Sequence, residues 1–179
     1  MKLPVVAILF ALATPAFAQN PMVGGAAMFE TKTIVENAVN SADHTTLVAA
    51  VQAADLVEAL QGPGPFTVFA PVNAAFAALP AGTVDTLLMP ENKPMLTKIL
   101  TAHVVAGDLS GAEIMRRAKA SKDRYFHMQT LSGDALSATV RGNNLYIIDE
   151  SGNASRVTIG DVKQSNGVIH VVDKVLLPK

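Results

Sequence analysis

Ser165-Asn166-Gly167-Val168-Ile169-His170-Val171-Val172-Asp173-Lys174-Val175-Leu176-Leu177-Pro178 decides the fold. Asn166-Gly167 is a turn signal, because both residue types tolerate positive φ. The run that follows is rich in β-branched residues and too apolar for an exposed strand. It predicts a buried strand that closes the domain, with His170 at its middle and Pro178 at its end. A closing strand in the core makes the chain upstream a scaffold built around it.

Working back from that strand, the second half of the chain reads as strands joined by tight turns. The expected strands are Tyr125 to Leu131, Ala135 to Arg141, Leu145 to Asp149, Ser155 to Ile159 and Val168 to Val172. Ser132-Gly133-Asp134, Gly142-Asn143-Asn144 and Ser151-Gly152-Asn153 are the turns, and such short links favour antiparallel neighbours. The first half is helical in texture. Ile34, Val35, Ala38 and Val39 recur at helical spacing, and Thr45 or Thr46 can cap a helix that turns Leu47, Val48, Val51, Leu56 and Leu60 inward. Gly62-Pro63-Gly64-Pro65 ends the helical stretch, since proline lacks the amide donor and glycine accepts left-handed geometry. Phe66 to Ala70 then reads as a buried strand stopped by Pro71, with Asn73 placed to cap a short helix. Ser110-Gly111-Ala112-Glu113 matches a capping box. Helices first and hairpins later predict an α+β domain.

The start of the chain has a different character. Lys2, the apolar run Val5 to Leu12 and Ala16-Phe17-Ala18 have the layout of a signal peptide with a cleavage site after Ala18. Residues 1–18 are therefore expected to be removed on export, to the periplasm or the exterior. Residues 19–30 read as an extended lead-in that packs Met22, Val23 and Met28, and 31–179 as one domain without a further membrane-spanning stretch.

Composition narrows the chemistry. The formal charge of −1 becomes −2 without Lys2, which gives no electrostatic basis for nucleic acid. The absence of cysteine removes thiol catalysis and thiolate metal sites. The four histidines (His44, His103, His127 and His170) are dispersed, and the methionines lack clustered spacing, so no metal site is expected. No Gly-x-Ser-x-Gly elbow and no phosphate-binding glycine loop occurs, and neither an enzymatic activity nor a cofactor is expected. Arg116, Arg117, Lys119, Lys122 and Arg124 are either a solvated helix end or a contact surface for an anionic polysaccharide or lipid head group.

Three stretches together resemble a fasciclin domain. Thr67-Val68-Phe69-Ala70-Pro71-Val72-Asn73-Ala74-Ala75-Phe76 is similar to that family's strand-turn-helix signature, in which Thr67, Phe69, Pro71 and Asn73 are the matching positions. Leu100 to Gly107 is similar to a second motif, centred on His103-Val104-Val105. Ser165 to Pro178 resembles the closing motif through Asn166, Gly167 and His170. Three motifs in order are far more specific than one. The signal-like start and single domain resemble the short secreted bacterial members.

The resemblance implies a wedge of two small, mainly antiparallel sheets with a group of helices against it. It also implies adhesion or a protein, cell-surface or matrix partner, not catalysis, and a monomer is expected. In some animal members Asp-Ile and Tyr-His positions are implicated in integrin binding. They fall here on Asp161-Val162, expected as an exposed turn before the closing strand, and on Ala102-His103, where alanine stands in place of tyrosine. The site residues implied by resemblance are therefore Asp161, Val162 and His103. From the residues alone, His103 and His170 read as buried groups that fix local geometry. The alternative function is a small-ligand or metal carrier, which needs a pocket between the helices and the sheets.

Overall fold

The computed structural model describes residues 20–179. The expected leader, 1–18, lies outside the described residues. The lead-in forms a small hairpin of β1 (Met22–Val23) and β2 (Ala26–Ala27), which buries Val23 and Met28 but leaves Met22 exposed.

A helical group follows: α1 (Ile34–Ala38), α2 (Thr45–Ala53) and α3 (Val57–Gln61), then α4 (Asn73–Ala77), α5 (Thr83–Leu87) and α6 (Lys93–Thr101) after the strand β3 (Phe66–Pro71). The strand β4 (Val104–Ala106) leads to α7 (Gly111–Ala120). The strands β5 (Phe126–Gln129), β6 (Ala135–Arg141), β7 (Asn144–Ile148), β8 (Ala154–Gln164) and β9 (Gly167–Val172) complete the chain. The mixed α+β architecture expected from the sequence is the observed one.

The larger sheet has the order β4-β3-β9-β8-β7-β6-β5. The closing strand β9 is central, parallel to β3 on one side and antiparallel to β8 on the other. The sheet bends along β8, whose pairing with β9 shifts between Val157 and Ile159 and again between Ile159 and Val162. Bulges of this kind increase local twist and bend the strand. A single bridge, Val105 to Thr130, then links β4 to the far strand region.

Folding the sheet on itself makes two cores. One lies between the helices and β3–β9 and includes Leu47, Val51, Leu60, Val68, Leu100, Ile169 and Val171. The other lies inside the bend under α7 and includes Phe69, Val105, Ile114, Met128, Leu136, Ile147 and Val172. Alternation along β3 sends Val68 and Ala70 to the first core and Phe69 to the second, as the period of two requires.

Three caps differ from the local sequence reading. Thr45 and Thr46 lie within the first turn of α2, and neither side chain caps it. Asn73 does not cap its own helix. Its Oδ1 accepts from the Thr46 amide at 3.0 Å, and its Nδ2 donates to the Ala42 carbonyl at 2.8 Å. It therefore caps α2 from across the fold. Ser110 caps α7 by accepting from the Glu113 amide, but the Glu113 carboxylate turns to Arg116 and Arg117 instead of completing the box.

Candidate functional site

The motif residues meet where β3, β8, β9 and the start of α7 converge. His170 is fully buried on β9 opposite Phe69, and the two rings stack at 5.7 Å. Its Nε2 donates to the Leu109 carbonyl at 2.8 Å, and its Nδ1 accepts from the Asp161 amide at 3.2 Å. A carbonyl needs a donor and an amide needs an acceptor, so these partners fix the neutral Nε2–H tautomer. Burial lowers the His170 pKa, against opposing contributions from the Leu109 bond and from Asp161 and Asp108.

Asp161 sits at the bulge of β8 with φ of 58°. Its Oδ1 accepts from the Gly111 amide at 2.7 Å, so it caps the first turn of α7 while its residue remains exposed to solvent. Asp161 and His170 together tie two strands to a helix start. Thr67 completes the node. It is fully buried, donates to the Gly107 carbonyl at 2.7 Å and accepts from the Leu109 amide at 2.9 Å.

The other two residues expected at a partner surface lie inside. Val162 is fully buried in the first core, and the Asp161-Val162 pair belongs to β8, not to a loop. The bulge reverses the phase of the strand, which turns Asp161 out and Val162 in. His103 is buried too, at the end of α6. Its Nδ1 donates to the Ile99 carbonyl and its Nε2 accepts from the Leu176 amide, both at 2.8 Å. This is the opposite tautomer to His170. Burial lowers its pKa to about 4, partly offset by the Ile99 bond and Asp149. Neither Val162 nor His103 offers side-chain surface to a partner.

Asn166 and Gly167 serve the turn as expected, but Asn166 reaches further. Its Oδ1 accepts from the Ile34 amide, and its Nδ2 donates to the Leu60 and Gly62 carbonyls. It joins the start of α1 to the end of α3. Pro71 lies within β3 opposite Val172.

The structure also adds groups that sequence reasoning passed over. Buried Asp149 accepts from the Leu177 and Asn153 amides and so holds the tail after β9. Buried Asn37 exchanges hydrogen bonds with the Phe29 backbone and donates to Gln164. On the surface, Ser137, His127 and Asp123 form a chain of two 2.9 Å contacts. The His127 and Asp123 side chains are more than half exposed, so water competes for both bonds. Period-two spacing of polar residues on β5 and β6 was the available signal for that chain. Arg116 and Arg117 are held by Glu113, which leaves Lys119 and Arg124 beside an open depression of about 300 Å³ with Val140 and Gly142.

Among the described residues no three His, Asp or Glu side chains converge as a metal cluster, and no helix is long and apolar enough to cross a membrane. The helical group and the β3–β4 edge line an apolar cavity of about 220 Å³ that opens to solvent on one side.

The fasciclin domain model matches residues 42–178, from the turn before α2 to the tail after β9. The chain belongs to the fasciclin domain family. A fasciclin relative, Protein sll1483 of Synechocystis, is 48% identical over 177 residues, covering 94% of this chain and 91% of that one. Cell surface glycolipoprotein MPB83 of Mycobacterium bovis is 33% identical over 167 residues, covering 90% of this chain and 68% of that one. Among solved structures, a fasciclin domain pair from the insect cell adhesion molecule Fasciclin I superposes with a TM-score of 0.72 at 19% identity. That match covers 82% of this chain and 51% of the pair, and it supports the fold. The fasciclin family is associated with cell adhesion and extracellular proteins.

Proposed function

We propose that this chain is an exported fasciclin-domain protein that binds a protein or matrix partner without catalysing a reaction, and that Asp161 lies in the contact surface. Membership of an adhesion-associated family across residues 42–178 carries the reading. The relation to a cell surface glycolipoprotein supports export, as does the signal-like start. Asp161 is the family-implied position whose side chain keeps a face in solvent, and its second carboxylate oxygen is free of the helix-capping bond. Domain boundaries of 19–30 for the lead-in and 31–179 for the domain, and action as a monomer without cofactor, belong to the same proposal.

The test must separate contact from folding, because Asp161 also caps α7. Asp161→Asn keeps an oxygen for the Gly111 amide and removes the charge. Binding of wild type and Asp161→Asn to cells or matrix of the native host would be compared at equal folded fraction. Loss of binding with an unchanged thermal midpoint is expected. Undiminished binding would remove Asp161 from the surface. Intact mass of the protein recovered from that host should correspond to cleavage after Ala18, and an uncleaved chain would overturn the export reading.

A further inference from the structure

The interior is not filled evenly. Where α1, α2 and α3 face β3, β4 and α6, a cavity of about 220 Å³ remains, with Leu47, Val51, Leu60, Val68, Leu100 and Val104 in its walls. The space opens to solvent on one side, but most of its wall is made of buried apolar side chains. His103 is the one histidine in the wall. Both of its ring nitrogens are already engaged, by Ile99 and Leu176, so it offers no free polar atom to the space. A buried water needs two to four polar partners, and these walls do not provide them. The cavity therefore favours apolar contents. An apolar cavity of about 150 Å³ is large enough to take up benzene, so this one has room for a larger body, such as two fused rings or a chain of similar bulk.

Its mouth has a different chemistry. Val39 is 52% exposed there, and Val48 and Val57 are half-buried. Gln52 and Gln61 complete the rim, and neither side-chain amide has a hydrogen-bond partner among the described residues. An amide offers both a donor and an acceptor. The charge nearby is negative. Asp55 and Glu58 share a neighbouring depression with Gln52 and Val57; Asp55 is paired with Lys93, and Glu58 has no ion pair among the described residues. An anionic head group would meet Glu58 at the entrance, whereas an uncharged one would meet the two amides.

We propose that this cavity binds an uncharged, lipid-like small molecule, its apolar body between the helices and the β3–β4 edge and its polar end at Gln52 and Gln61. The site is separate from the Asp161 surface, and neither reading depends on the other.

The full chain would be titrated with the uncharged probe N-phenyl-1-naphthylamine, followed by its fluorescence, and then with dodecan-1-ol and dodecanoate as competitors. A saturable one-to-one enhancement is expected, with dodecan-1-ol displacing the probe at least tenfold more effectively than dodecanoate. Glu58→Gln should narrow that gap. Val48→Phe fills the cavity from α2 and should weaken probe binding at least tenfold without lowering the thermal midpoint. Val39→Glu, at an exposed position on the rim, should weaken it while leaving the core untouched. Methyl resonances of Val51 and Leu60 in the wild-type chain should move on binding, which keeps the proposal testable if a variant fails to fold. Absence of saturable binding, methyl shifts confined to surface residues, or folded Val48→Phe and Val39→Glu with wild-type affinity would each overturn the site. Equal competition by the alcohol and the carboxylate would overturn its preference for an uncharged ligand.

Discussion

His103 and His170 occupy motif positions that invite a chemical role, yet each uses both ring nitrogens on backbone groups. A protonated imidazole has two donors and no acceptor, so protonation breaks the bond from Leu176 in one case and from Asp161 in the other. Stability should follow. The unfolded chain takes up the proton on His103 near 6.5, whereas the folded chain does so only near 4. Between those values the unfolded state holds more protons, so acid favours it. The contribution is fully present above pH 6.5 and is lost as the pH falls through 4. A shift of this size corresponds to on the order of 3 kcal/mol. His44 and His170 are shifted in the same direction by burial and add to the slope. The urea midpoint should therefore fall steadily from pH 7 to pH 4.5. A flat profile over that range would contradict the neutral, doubly bonded state of His103 and His170.

Among the elements, α2 depends on a residue far away in sequence. Its amide end is satisfied by Asn73, which lies just beyond β3. Asn73→Ala should cost about 1 kcal/mol, within the usual range for losing a cap, and should exceed the cost of Thr45→Ala. Equal thermal midpoints for the two variants would place the cap elsewhere. The same comparison shows what could be read from sequence. Asn73 beside a short helix read as a local cap, because local patterns are all that a sequence displays. Only the packed fold brings it to Thr46. The strand β6 has the bounds expected from its turns, Ala135 to Arg141, because alternation there is unbroken. The expected end of β8 at Ile159 falls short, since its bulge disguises Gly160 to Gln164 as a loop. The two register shifts in β8 carry Val162, which the family resemblance places in an exposed turn, into the core. The buried amides of Asn37 and Asn166 had no local signature of their long-range partners, although Asn166-Gly167 did mark the turn.

At the scale of the whole molecule, the closing turn joins the helical group to the sheet. Gly167 passes so close to β3 that a Cβ would overlap the Phe66 carbonyl oxygen, while the Asn166 side chain holds α1 and α3. Gly167→Ala must displace β3 or β9, both at the centre of the sheet. A loss of about 3 kcal/mol or more is expected, at the upper end of ordinary point substitutions. Val162→Ala, which opens space in one core without moving backbone, should cost less, on the order of 2 kcal/mol. Chemical denaturation of the two variants gives the order, and a milder Gly167→Ala would show that the turn is not tightly constrained.

The central place of β9 also has a consequence in time. Until Gly167–Val172 has been made, β3 lacks its parallel neighbour and β8 lacks its antiparallel one, so neither core can close. Non-local pairing of this kind comes late in folding. A chain with this topology can complete neither core before β9 is available to pair. The strand that completes the sheet thereby also sets the order of events, since both cores wait on β9.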